Sequence, residues 1–308
     1  MRKGLKAIGK ATVYFGVYFL VQIIVSAVYS VVLSTKLTME MMETGEELNM
    51  VLLETQLMEA IMAEAMTMTL ISGIVVLLLF GLVFLIRKKN LLKEVMIRPI
   101  PAKGILPVAV LAVCFNVITS VIISLIPWPE AWMDSYITNS SAIDGSLMAW
   151  ITAVLMAPVL EEIVFRGLMY TRLKKGLPII AAAVITSLVF GTVHGTVIWA
   201  IYTFVFSMVL IWVFERFQSL TACIVLHMAY NLAGMGMSFI PEEASVVIWI
   251  LFVVGIVAAV FMYKEVVKVT ADIPKVEEVD AVELPLQNIS DVEEEITDSK
   301  ESTENTES

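Results

Sequence analysis

The sequence predicts an all-α, polytopic membrane protein with eight transmembrane helices, and three observations carry that prediction. The 308-residue chain is 59% apolar and only 16% charged, against about 45–50% and about 25% in soluble domains. A soluble core has no room for that excess, whereas a bilayer absorbs it. Apolar runs near the roughly 17–25 residues that cross a hydrocarbon core recur along the chain. Finally, Lys and Arg are sorted unequally between the loops.

The runs lie at about 11–34, 67–86, 105–126, 146–160 and beyond, 178–194, 196–214, 219–237 and 245–263. Arg2, Lys3, Lys6 and Lys10 precede the first, as cations precede the core of a signal peptide. Its length and the lack of a small-residue cleavage site make it a retained first span. The loop at 35–66 is rich in Met and Glu. It reads as a helix leading into span 2 with its acids in water, and less well as a soft-metal site.

If the N-terminus is cytoplasmic, 19 of the 20 Lys and Arg residues fall on the inner side, and Lys36 alone falls outside. By the rule that cytoplasmic loops hold the cations, both termini are inside and the number of spans is even. The expected localisation is the cell membrane. The net charge of −10 is a local property, because residues 270–308 hold 13 acidic and 2 basic side chains and the remainder sums to +1. With few aromatics, that stretch is expected to be a disordered cytoplasmic tail.

The expected organisation is therefore 1–104 (spans 1 and 2 with the outer loop), 105–144 (span 3 and an outer loop), 145–240 (spans 4–7), 241–269 (span 8) and 270–308 (the tail). Cys114 and Cys223 each sit in an apolar run and read as packing thiols. The chain has no internal repeat and no Gly-rich phosphate loop, and no nucleic-acid partner is expected. A transporter or channel needs an ionisable path across the membrane, but the charges cluster on one side.

Three segments put polar groups where a bilayer makes them costly. They are Glu161-Glu162-Ile163-Val164-Phe165-Arg166-Gly167, Phe190-Gly191-Thr192-Val193-His194 and His227-Met228-Ala229-Tyr230-Asn231. Each carries an i, i+4 pair, so Glu162 and Arg166 share a helical face, as do Phe190 and His194, and His227 and Asn231. An ionisable group at mid-bilayer costs about 2.5–3.5 kcal/mol on insertion scales, so a functional reading is the default. The bland alternatives are a loop histidine at 194 and a satisfied core histidine at 227. Glu161 and Glu162 as mere markers of a helix C-terminus is a poor reading, because acids there oppose the helix dipole.

The pattern Glu-Glu-x-x-x-Arg, Phe-x-x-x-His, His-x-x-x-Asn, in that order and each on its own span, resembles the type II CAAX prenyl endopeptidase and bacteriocin-processing family of intramembrane proteases. That family also includes proteins described as immunity or abortive-infection factors. The resemblance covers roughly residues 145–240, and the Phe-Arg-Gly and Phe-Gly steps belong to it. It implies an endopeptidase acting on a membrane-associated, lipidated or secreted peptide. It implies that Glu161 and His194 position and deprotonate a water, that His227 and Asn231 stabilise the oxyanion, and that Glu162 and Arg166 form a supporting pair. No cofactor is needed in that scheme. A zinc version, with His194, His227 and Glu161 as ligands and one open position, stays open. So does a non-catalytic protein that binds a partner on the same scaffold. Asn231 favours the metal-free form, because an amide suits an oxyanion hole and is a poor zinc ligand.

Hydropathy alone ends span 4 near residue 160 and places His194 at the far end of span 5. The groups then meet only if span 4 continues well past Glu162, or if span 5 tilts or turns back early at Gly191 and Gly195. His227 falls about 10–12 Å along span 7 at 1.5 Å per residue. On this reading the cavity opens toward the cytoplasm.

Overall fold

A computed structural model describes residues 2–44, 50–141, 143, 145–241 and 244–274, and among them there are helices and no strands. Eleven helices follow in order: α1 (Arg2–Thr44), α2 (Met50–Ala63), α3 (Ala65–Ile86), α4 (Leu91–Glu94), α5 (Ala102–Leu125) and α6 (Glu130–Ser141), then α7 (Leu147–Leu173), α8 (Ile179–Thr192), α9 (Val197–Phe217), α10 (Leu220–Met237) and α11 (Ser245–Val269). Residues Met1–Ala271 form one compact unit. Beyond residue 274, the expected disordered tail lies outside the described residues.

Seven described helices, α1, α3, α5, α7, α9, α10 and α11, are long and apolar enough to cross a membrane. The chain is a multi-pass membrane protein. Eight spans were expected, and the expected fifth forms α8, with only 14 residues. At 1.5 Å per residue it covers about 21 Å, short of the roughly 30 Å hydrocarbon core. Pro178 starts it, and the turn at His194 and Gly195 (φ +88°) ends it. Only 6% of the apolar window of α1, and of α11, is buried, so both offer apolar surface to lipid.

Of the Met- and Glu-rich segment, residues 45–49 lie outside the described residues; the rest forms the end of α1 and then α2, which runs into α3 through Glu64, whose amide bonds the Ala60 carbonyl at 3.0 Å. Side-chain caps set several boundaries. Asn90 accepts from the Lys93 amide (3.1 Å), Ser146 from Ala149 (3.1 Å), Thr196 from Trp199 (3.2 Å) and Ser219 from Thr221 (3.2 Å).

The Lys/Arg-rich turns gather at one end of the bundle and are tied together there. Arg172 pairs with Glu94 at 2.7 Å and Lys174 with Glu215 at 2.8 Å, while Arg216 donates to the Val267 carbonyl at 2.9 Å. The Leu220 amide donates to the Met96 carbonyl and the Ser219 hydroxyl to that of Arg98. Burial acts to raise the Glu94 carboxyl. The hydrogen bond from Lys89 and the charges of Arg172, Lys89 and Lys175 outweigh it, so the group is held below its ordinary value. Cysteines placed at Lys88 and Lys174 should react with an impermeant thiol reagent from one side of the membrane, and a cysteine at Lys36 from the other. Reaction of Lys36→Cys and Lys88→Cys from the same side would refute this topology.

Candidate active site

The helix carrying Glu161 and Glu162 does run on, through to Leu173, 27 residues from Leu147. That sinks the glutamate pair to mid-helix. Two stretches of α7 are π-helical, Ile151–Met156 and Glu162–Tyr170, a conformation frequent at functional sites. In the first stretch the Ala157 amide bonds back to the Thr152 carbonyl. The next donor along is Pro158, which has no N–H. The Ala153 carbonyl is thereby left open, and the Asn231 amide nitrogen donates to it at 2.7 Å.

Around Glu162 everything is buried. Its Oε1 accepts from Arg166 Nη1 and from His227 Nδ1, each at 2.8 Å. Arg166 sends its other terminal nitrogen to the Ser207 hydroxyl of α9 at 2.7 Å, and its guanidinium lies 4.3 Å over the Phe190 ring. Glu162 and Arg166 are 0% exposed. Glu162 Oε2 and Arg166 Nε have no hydrogen-bond partner among the described residues.

Glu161, one residue away, points elsewhere, with Oε2 lying 3.8 Å from His227 Nε2. His227 thus stands between the two carboxylates, Nδ1 on Glu162 and Nε2 toward Glu161. His194, just beyond the end of α8, bonds the Phe190 carbonyl through Nδ1 at 2.6 Å. A carbonyl can only accept, so Nδ1 carries the proton, and the neutral ring's Nε2 is an acceptor.

Glu161, His194, His227 and Asn231 all line one cavity of about 470 Å³. Glu162 and Arg166 sit behind it. The motif's apolar members have local tasks. Phe190 packs edge-on to Phe165 at 5.0 Å between ring centres, under the Arg166 guanidinium. A Cβ on Gly191 would lie 2.6 Å from the Ala200 carbonyl oxygen, and one on Gly167 would lie 2.6 Å from Val95 Cβ. Glycine at these positions is what lets α9 approach α8 and the α4 segment approach α7.

Several polar residues of this site escape a motif-based reading. Ser207 holds Arg166, and Asn116 and Thr119 of α5 line the cavity, with Thr119 3.1 Å from the Tyr230 hydroxyl. Asn116 is 5% exposed, and its Oδ1 lacks a partner among the described residues. The signal for these residues was a cluster of polar side chains (Asn116, Thr119, Ser120) within an otherwise apolar run.

With that geometry in place, the comparison is informative. Residues 143–233 match the profile of the type II CAAX prenyl endopeptidase Rce1-like family, a family of membrane endopeptidases. The match supports placing the chain in the CAAX protease and bacteriocin-processing family. No curated protein and no solved structure matches it.

Proposed function

We propose that the chain is an intramembrane endopeptidase that hydrolyses a peptide bond of a membrane-associated, lipidated or secreted peptide. The observation that supports this is the convergence of Glu161, His194, His227 and Asn231 on one cavity within an apolar bundle. In this reading Glu161 takes a proton from a water that also donates to Nε2 of His194. The resulting hydroxide attacks the scissile carbonyl. The oxyanion is met by the Nε2–H of His227 and by the Asn231 amide, which has a second N–H besides the one held by Ala153. Glu161 then passes its proton to the departing amine, and the carbon–nitrogen bond breaks. With Nδ1–H given to Glu162, His227 is a donor at Nε2 only as the imidazolium. The flanking carboxylates offset that charge.

The metal-free form is the one we propose. Among the described residues, no group of three or more His, Cys, Asp or Glu is arranged to hold a metal ion. We further propose that the protein lies in the cell membrane with both termini cytoplasmic, α8 serving as a short eighth crossing.

The test is a comparison of peptides released by cells carrying wild type and Glu161→Ala at equal membrane abundance. Products should disappear in the variant. Cleavage by purified wild type should persist in the presence of a strong zinc chelator. Loss of cleavage on chelation, restored by zinc, would overturn the metal-free form and leave the protease reading in place.

A further inference from the structure

The cavity is one-sided. Successive membrane-long helices reverse direction, yet those that line the cavity contribute their middle and the half farther from the Lys/Arg-rich end. From α5 come Asn116 to Ile123, toward its C-terminus, and from α7 come Trp150 to Glu161, toward its N-terminus. The lining of α9 comes from its first half and that of α10 runs from His227, near its middle, to Met237.

The other halves of α7, α9 and α10 are closely packed. Leu168, Tyr170, Leu210, Phe214, Leu220 and Cys223 are each 0% exposed. With Glu162, Arg166 and Phe190, they form a floor between the cavity and the cationic end. The opposite face holds the mouth. There α6 lays Tyr136 against Trp199 (6.3 Å between ring centres), and Trp150 stacks with Phe239 at 6.3 Å. Tyr136 and Ser140 of α6 belong to the cavity wall, while no residue of α6 is fully buried. The helix therefore edges the opening and is not part of the core.

We infer that substrate enters from the non-cytoplasmic face, opposite the Lys/Arg-rich end, and that it is an extended peptide segment presented on that side, not a chain end offered from the cytoplasm. The inference rests on the protease reading above for the word substrate, but the entry route stands on the packing and on the charge asymmetry. It replaces the expectation of a cavity open to the cytoplasm. Hydropathy places the glutamates by distance from the cationic loops and says nothing of which half of the bundle is hollow.

The dimensions restrict the ligand further. Along α7, Trp150 and Glu161 are separated by about 16 Å at 1.5 Å per residue. An extended chain covers that in about five residues at roughly 3.3 Å each. A cavity of about 470 Å³ is the size of a small-ligand pocket, so it takes a stretch of unfolded chain and excludes a folded domain. The scissile bond then lies at least about five residues from any folded or membrane-embedded neighbour.

Both native thiols, Cys114 and Cys223, are buried, so the wild-type chain serves as the blank. Thr119→Cys in the cavity wall and Ser140→Cys at the mouth should react with an impermeant sulfonated maleimide on intact cells. Lys89→Cys should react only in inside-out vesicles. Labelling of Thr119→Cys confined to inside-out vesicles, or labelling of neither cavity site from outside, overturns the entry route. Right-side-out and inside-out vesicles carrying the wild-type chain are then given a pool of unstructured decapeptides bearing a polar fluorophore–quencher pair, with Glu161→Gln as the control. Cleavage only in right-side-out vesicles supports the substrate assignment. Cleavage only in inside-out vesicles refutes it and leaves the protease reading intact. No cleavage in either orientation, with Thr119→Cys labelled from outside, removes the protease reading and the substrate with it, while the entry route stands.

Discussion

Arg166→Ala should nearly empty the membrane of folded protein. The guanidinium is 0% exposed and is held at 2.8 Å by Glu162, at 2.7 Å by Ser207 and over the Phe190 ring. Removing one member of a buried ion pair costs about 3–5 kcal/mol, and here Glu162 would keep its buried charge with only the His227 bond to meet it. That is comparable to the whole stability of a modest domain. The check is steady-state abundance, together with the thermal midpoint of whatever can be purified in detergent. A purified Arg166→Ala protein with wild-type stability would contradict the account. Arg166→Lys should fall between the two, since a single ammonium lacks the fork that reaches Glu162 and Ser207 together. The double variant Glu162→Gln, Arg166→Met should recover abundance relative to Arg166→Ala, because neither member of the ion pair is left without the other. It should not recover activity, since His227 loses its carboxylate.

Asn231→Ala should instead leave abundance close to wild type and slow turnover by about 10²–10³, the usual loss for one oxyanion donor. Its amide nitrogen is fixed by the Ala153 carbonyl at 2.7 Å, so its second N–H is held toward the cavity before substrate arrives. The effect belongs in kcat more than in KM, because the oxyanion exists only in the transition state and intermediate. Steady-state kinetics on a cleaved peptide would separate the two. A pure KM effect would make Asn231 a binding residue. Pro158→Ala should mimic a weaker form of the defect. It supplies the missing N–H to Ala153 and frees Asn231 from its anchor, without altering any residue that lines the cavity.

Much of this architecture could be read from the residues. Apolar runs gave the long helices because a bilayer imposes length and composition on any segment that crosses it. Helical periodicity put Glu162 beside Arg166 and His227 beside Asn231. Four features were hidden for physical reasons. A hydropathy window ends at Leu160, because Glu161, Glu162 and Arg166 lower its mean, yet the helix continues to Leu173, since those charges are met inside the protein. The bond between His227 and Glu162 spans 65 residues, and spacing within one helix carries no information about contacts between helices. The link from Pro158 to Ala153 to Asn231 depends on a π-helical register that no apolar period betrays. The same holds for which half of the bundle is hollow, because that is set by side-chain packing of α7, α9 and α10 near the Lys/Arg-rich end.

The central claim is that Glu161 is the base for a bound water, and one substitution tests it most directly. Glu161→Gln keeps the size and much of the polarity of the side chain but cannot take up a proton. The protein should insert, fold and melt as wild type does, with Glu162, Arg166 and His227 undisturbed, while peptide cleavage at matched membrane abundance falls to background. Cleavage, or any biological activity, that persists at full strength in Glu161→Gln would contradict the account and point to a protein that acts on this scaffold by binding alone.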